Sequence, residues 1–99
     1  MKAWVFMDAL SNIRSAIDNI DRELIRLLAQ RQRLVEKAGR LKLKGDKDAV
    51  EASDRVAQVI ANRRKEALEL GLSPDVAEGV WRSMIQAFIA LEDKVNKEQ

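Results

Sequence analysis

The sequence contains no cysteine, no histidine and no tyrosine, and only one proline among its 99 residues. Without cysteine, a disulfide framework, a thiol nucleophile and a redox centre are all excluded. Without histidine or cysteine, zinc and most transition metals lose their usual ligands, and a Ser-His-Asp relay cannot be built. If the chain is an enzyme, its chemistry therefore needs neither an imidazole nor a thiol, and we expect neither a metal nor a cofactor.

Charge of one sign and long hydrophobic runs are also scarce. The net charge is only +2, with acidic and basic residues interspersed, which is too weak a bias to indicate a nucleic-acid partner. Apolar runs such as Ala3–Met7 are far too short for a membrane span or a signal-peptide core. We therefore expect a cytoplasmic protein that binds neither nucleic acid nor membrane, with a single helical domain over residues 1–99.

What the sequence does contain is apolar spacing in steps of three and four, which predicts an all-α fold of three helices. The first helix is predicted over about residues 7–43, and the polar segment 44–48 around Gly45 is predicted to be a loop. A second helix is predicted over 50–70 with inward residues up to Leu70, ended by Gly71. Ser73 and Pro74 are typical of a helix start, and Val76 and Val80 begin the predicted apolar stripe of the third helix.

The length of the first helix predicts a homodimer. A helix of about 35 residues is about 50 Å long, whereas a compact globule of 100 residues is only about 35 Å across. Within it, only Gly39 invites a break. The economical arrangement is a pair of chains whose long helices pack along one another and complete each other's cores.

Charged residues on or beside these apolar stripes are the candidate site. Arg31 and Lys42 are 11 residues apart and point within about 20° of each other, about 16 Å apart along the helix, so together they could hold one small polyanion. Arg55 could join them from the second helix, and Glu92 occupies an apolar position of the third. Taken singly, each has a structural explanation, such as a snorkelling arginine or a lysine near a helix C-terminus. Arg14 is about 25 Å from Arg31 and could reach the same ligand only from a second subunit.

At these residues the sequence resembles the all-helical chorismate mutase family, over about residues 10–93. The family's opening pattern is an Arg, then Ile-Asp-x-Ile-Asp, then Leu-Ile-x-Leu-Leu-x-x-Arg, and its later Lys, Arg and Gly-Leu-Ser-Pro turn also have counterparts. The matching positions here are Ile13-Arg14, Ile17-Asp18-Asn19-Ile20-Asp21, Leu24-Ile25-Arg26-Leu27-Leu28, Arg31, Lys42, Arg55 and Gly71 to Pro74.

The resemblance implies an intertwined homodimer that converts chorismate to prephenate. By that likeness, Arg31, Lys42 and Arg55 of one chain and Arg14 of its partner would hold the two carboxylates of the substrate. Lys42 and Glu92 would be catalytic, one on each side of the ether oxygen of the breaking bond. A concerted rearrangement needs only positioning and electrostatic stabilisation of the transition state, which agrees with the absence of histidine and cysteine.

Two departures from the family pattern keep the activity open. The family often has Gln at the position of Glu92; an ionised carboxylate would repel the ether oxygen, so we expect Glu92 to act protonated, with activity that falls as the pH rises. Val56 replaces a Glu that receives the ring hydroxyl in many mutases. The Arg55–Val56 pair and Glu78–Gly79 resemble the related isochorismate-pyruvate lyases, which yield salicylate and pyruvate.

A non-catalytic dimeric adaptor, with a cationic groove for an acidic partner, is the third alternative.

Overall fold

A computed structural model describes residues 3–99 of the chain, so residues 1 and 2 of the predicted domain lie outside the described residues. These residues form helices α1 (Ala3–Leu41), α2 (Lys47–Glu51), α3 (Ser53–Leu70) and α4 (Pro74–Lys97), with no strand among them. The all-α prediction with three long helices is confirmed. Within residues 3–99, no helix has an apolar stretch of the length that a membrane crossing needs.

The short helix α2 is the feature that the sequence did not predict, and it alters the predicted boundaries. It begins early because the Asp46 side chain accepts a hydrogen bond from the Ala49 amide at 3.1 Å. Ala52 then adopts a left-handed backbone conformation (φ +44°) between α2 and α3. The predicted start of one continuous helix at Val50 is therefore wrong, since α2 ends at Glu51 and α3 begins at Ser53.

The predicted turn between the last two long helices is confirmed. Gly71 ends α3 with φ +75°, a conformation that glycine adopts without strain, and the Leu72 amide donates to the Ala67 carbonyl at 2.8 Å. The Ser73 hydroxyl accepts a hydrogen bond from the Val76 amide at 3.3 Å, and Pro74 is the first residue of α4.

The chain divides into two compact units, residues 1–33 and residues 34–99. The described part of the first unit is α1 up to Arg33, and the apolar stripe predicted for this helix lies largely exposed in the single chain. The exposed fractions range from 49% to 60% for Ile13, Ile17, Ile20, Leu24 and Leu27. An isolated helix with an uncovered apolar face is marginally stable in water, and large exposed apolar patches are typical of interaction surfaces.

The second unit consists of the end of α1 together with α2, α3 and α4, and α4 packs against both α2 and α3. Its apolar core is small, and every member is at most 6% exposed: Val50, Ile60, Ala67, Ala77 and Ile85. The expectation that Leu70, Val76 and Val80 point inward is wrong, because these residues are 85%, 53% and 52% exposed. The buried line of α4 runs one residue further round the helix, from Ala77 through Ile85 to Glu92 and Asn96.

An ion-pair network joins α3 to the first turns of α4. Arg64 donates to Asp75 at 3.1 Å and to Glu78 at 2.9 Å, and Arg82 donates to the other Glu78 oxygen at 2.6 Å. The hydrogen bond from Arg82, with the positive charges of both arginines, lowers the pKa of Glu78. The same contacts, that to Asp75 first, raise the pKa of Arg64.

Candidate active site

The centre of the candidate site is an ion pair between Lys42 and Glu92. The Lys42 ammonium Nζ donates a hydrogen bond to Glu92 Oε1 at 2.8 Å. Lys42 directly follows α1, whereas Glu92 lies on α4, so the pair joins two elements of the second unit. The Glu92 side chain is 8% exposed and that of Lys42 is 28% exposed, so the pair is part-buried, with its carboxylate end the more protected from solvent. The structure thus brings together the two residues predicted to be catalytic.

Gly39 allows α1 and α4 to approach each other beside this pair. It is the buried residue of α1, and a Cβ atom built on it would lie 3.0 Å from Glu92 Cγ and 3.1 Å from the Glu92 carbonyl oxygen. The helix continues through Gly39, so this glycine is not a break. Its missing side chain instead leaves room for the Glu92 backbone and the base of its side chain.

Asn96 is a buried polar residue beside the Lys42–Glu92 pair. The sequence pattern did not identify it. Its side chain is fully buried, one helical turn after Glu92 on the same face of α4. Its Nδ2 lies 2.8 Å from the Gly39 carbonyl oxygen and 3.2 Å from those of Lys42 and Leu43, and its Oδ1 accepts from the Gly45 amide at 2.7 Å. Its spacing could have identified it, because Asn96 is a second polar residue at an apolar position of the helix, four residues after Glu92.

Arg55 and Val56 lie in the first turn of α3, immediately after the break at Ala52. Arg55 is exposed and lines a depression together with residues from Asp48 to Asp54. Val56 is half-buried and lines a neighbouring groove with Gln86 and Ile89 of α4. The cation predicted at this point is therefore accessible to a ligand, and the position next to it is apolar.

The remaining two predicted residues, Arg14 and Arg31, lie on α1 in the first unit. Arg14 is exposed and Arg31 is half-buried. Seventeen residues separate them, which corresponds to about 25 Å along a helix. One small ligand therefore cannot contact both arginines of the same chain. The spacing in the sequence predicted the same restriction.

The chemistry available at the Lys42–Glu92 pair is charge stabilisation at a fixed position. An ammonium group has three N–H donors, of which the contact with Glu92 uses one, so the others can be directed at a ligand oxygen. In a site that excludes water, such a donor stabilises negative charge that develops on an oxygen far better than it does in bulk solvent.

Comparison with known proteins identifies the family of the chain. The family model described as chorismate mutase type II matches residues 13–93. The T-protein of Haemophilus influenzae is 38% identical over 89 residues, which cover 90% of this chain and 23% of the T-protein. The isochorismate pyruvate lyase of Pseudomonas aeruginosa is 35% identical over 85 residues, which cover 86% of this chain and 82% of the lyase.

A third relative, the bifunctional chorismate mutase/prephenate dehydratase of Aquifex aeolicus, is 29% identical over 91 residues, which cover 90% of this chain. The chain spans about a quarter of the length of this protein and of the T-protein, but most of the length of the lyase. The family match spans four-fifths of the chain and includes Arg14, Arg31, Lys42, Arg55 and Glu92. The chain therefore belongs to the family of type II chorismate mutases.

Proposed function

We propose that this chain is a chorismate mutase, which rearranges chorismate to prephenate. The observation that carries the proposal is the part-buried contact between Lys42 Nζ and Glu92 Oε1 at 2.8 Å. It joins the two positions that the family resemblance assigns to the two sides of the ether oxygen. Membership of the type II family supports the same substrate class.

The reaction breaks one C–O bond while one C–C bond forms, in a single concerted step without a covalent intermediate. Negative charge grows on the ether oxygen as the C–O bond lengthens, and Lys42 donates a hydrogen bond to that oxygen. Glu92 donates a second one in its protonated form. The Lys42 ammonium contacts Glu92 Oε1, so the proton that Glu92 donates is the one on its other carboxyl oxygen.

The three arginines are proposed to bind the substrate carboxylates, which fixes the enolpyruvyl arm over the ring. Arg31 and Arg55 act from the same chain as Lys42, and Arg14 acts from the partner in a homodimer. The exposed apolar stripe of α1 in residues 3–33 supports this dimer, because a second copy of the same helix would cover it. The single domain predicted over residues 1–99 stays a prediction within this arrangement.

The second candidate function is the isochorismate-pyruvate lyase reaction, which yields salicylate and pyruvate. The observation in its favour is Val56, which lines the groove beside Arg55 with an apolar side chain that cannot accept a hydrogen bond from a ring hydroxyl. The similarity to the lyase of Pseudomonas aeruginosa over most of both chains supports it further.

The experiment is to incubate the purified protein with chorismate and with isochorismate in separate reactions, and to measure prephenate, pyruvate and salicylate. We expect prephenate from chorismate. The variant Lys42→Met should lower kcat by about 100-fold or more, the usual effect of removing a donor to a developing oxyanion. Lys44→Met is the matched control, since Lys44 is exposed in the following loop, and it should leave kcat unchanged.

Other outcomes assign the other functions. Pyruvate and salicylate from isochorismate, without prephenate from chorismate, would assign the lyase. If neither substrate reacts and neither raises the thermal unfolding midpoint, the enzyme proposals fail and the adaptor alternative remains. That midpoint is a sensitive test, because a ligand at 100 times its dissociation constant stabilises the folded state by about 2.7 kcal/mol.

A further inference from the structure

The backbone that carries Lys42 has few local contacts to hold it. Lys42 lies just beyond the last residue of α1, and its amide makes a single helical hydrogen bond, to the Ala38 carbonyl at 3.2 Å. The chain then enters a loop that contains Gly45 at φ +80°. The last carbonyl groups of a helix lack partners within the helix, so they need other donors or they fray. A small backbone movement here displaces the ammonium group at the far end of a flexible side chain.

Asn96 supplies those donors from α4, more than 50 residues away in sequence. Its amide NH₂ group lies within hydrogen-bond distance of the Gly39, Lys42 and Leu43 carbonyl oxygens, and because it has two hydrogens, one of these contacts is shared. Its carbonyl oxygen accepts from the Gly45 amide and so holds the following loop as well. Gln99 adds an outer contact to two of the same oxygens, at 2.8 Å to Gly39 and 3.2 Å to Lys42.

Asn96 and Glu92 therefore contact the two ends of the same residue. Glu92 contacts the Lys42 ammonium, and Asn96 contacts the Lys42 carbonyl oxygen, from positions one turn apart on one face of α4. A single rigid helix thus fixes both the backbone of Lys42 and the direction of its side chain. Asn96 is completely buried, so its hydrogen bonds do not compete with solvent.

We propose that Asn96 is a positioning residue for the Lys42–Glu92 pair: it holds the end of α1 against α4 so that the Lys42 ammonium is directed at the reacting oxygen. The expected effect on catalysis rests on the proposed function. The role of Asn96 in maintaining the contact between Lys42 and Glu92 does not, and it can be measured without any substrate.

The kinetic test is the variant Asn96→Ala, with Asn62→Ala on the exposed surface of α3 as the matched control. We expect kcat to fall by about fivefold or more while KM changes by less than about threefold, because the transition-state contact of Lys42 is lost and the arginines that bind the carboxylates remain. A smaller fall in kcat, or a larger change in KM, overturns the proposal. Asn62→Ala should match the parent protein in both constants.

The substrate-free test follows the carbon-13 signal of the Glu92 carboxyl group by NMR, assigned with Glu92→Gln. Lys42→Met gives the signal of Glu92 without its ammonium partner. We expect Asn96→Ala to move the signal at least half of the way to that position although Lys42 is still present, and Gln99→Ala to move it less. If Asn96→Ala does not fold by circular dichroism, Asn96→Ser is used with the same expectation, since its hydroxyl cannot span the contacts of the amide.

The two readouts separate the two proposals. A parent protein that converts neither substrate contradicts the proposed function, while the NMR signal still decides the role of Asn96. An active parent whose kcat and Glu92 signal are both insensitive to Asn96→Ala contradicts the positioning role and leaves the proposed function intact.

Discussion

Glu92 gives the candidate site a property that an amide at the same position would lack. Its side chain is 8% exposed, and its Oε1 lies 2.8 Å from the Lys42 ammonium nitrogen. Only the protonated form can donate a hydrogen bond to an ether oxygen. The activity of this chain should therefore depend on whether a proton is available to Glu92.

For this residue we predict that kcat falls as the pH is raised, and that Glu92→Gln removes the fall, because a glutamine donates at every pH. The measurement is the pH profile of kcat, because bell-shaped or sigmoidal profiles report essential ionisable groups. Asp93→Asn is the control, since it removes one negative charge from the adjacent residue, which pairs with Lys97. A Glu92→Gln profile that follows the parent's would contradict the protonated role.

At the scale of elements, the break between α2 and α3 is held by a strained residue. Among residues 3–99, Ala52 is the residue other than glycine that has a positive φ, with φ +44° and ψ 57°. A left-handed conformation costs an L-amino acid with a Cβ atom about 1 kcal/mol. The break determines where α3 begins and therefore where the exposed Arg55 projects, so the strain is located beside a proposed substrate-binding residue.

We predict that Ala52→Gly stabilises the protein by about 0.5 kcal/mol, because the relief of strain exceeds the added flexibility of the unfolded chain. Ala57→Gly, on the exposed face of α3, is the matched control and should destabilise by about 1 kcal/mol, as glycine does inside a helix. The free energy of unfolding in urea measures both. Equal destabilisation by the two glycines would show that the conformation of Ala52 is not strained.

The network between α3 and α4 makes a second prediction at this scale. Because the arginines lower the pKa of Glu78 in the folded state, its contribution to stability is present above the ordinary pKa of a glutamate. That contribution is lost as the pH falls below about 4.3, where the carboxylate becomes protonated first in the unfolded chain.

Glu78→Gln should accordingly lower the thermal unfolding midpoint at neutral pH, and the difference from the parent should shrink as the pH falls below about 4.3. The effect should be small, since partly exposed ion pairs contribute little. Glu69→Gln, at an exposed position of α3, is the control without these partners and should leave the midpoint unchanged at both pH values. A difference for Glu78→Gln that persists at low pH would contradict an origin in the charge of this carboxylate.

At the scale of the whole molecule, the proposed dimer determines which chain supplies each arginine. If Arg14 acts in the partner's site, a mixed dimer of Arg14→Ala and Arg31→Ala chains contains one intact site and one site that lacks both arginines. Refolding the two inactive variants together should therefore recover about a quarter of the parent activity, since half of the dimers are mixed and each has one working site.

The control mixture combines Arg31→Ala with Lys42→Met, two residues proposed to act from the same chain. Each site of that mixed dimer lacks one of them, so no activity should return. Recovery in both mixtures, or in neither, would contradict the assignment of Arg14 to the partner's site. Sedimentation equilibrium of the parent protein, with a mass of two chains expected, checks the dimer itself.

The sequence by itself determined what depends on local pattern. Helix periodicity, the Gly71 terminus and the Ser73–Pro74 start are set by residues within a few positions of each other, so the all-α fold and this turn were predictable. Lys42 and Glu92 could be singled out because a charge on an apolar stripe is anomalous wherever the helix packs.

The tertiary structure alone decided which atoms meet. A one-residue rotation of α4, which buries Ala77 and Ile85 and leaves Val76 and Val80 half exposed, is finer than the wide apolar stripe can resolve. Two features depend on contacts between residues more than 50 positions apart. They are the hydrogen bonds of Asn96 and the close approach of α4 to α1 at Gly39. Such contacts leave no periodic signal in the sequence, because they are fixed by how two helices pack and not by the propensity of either one.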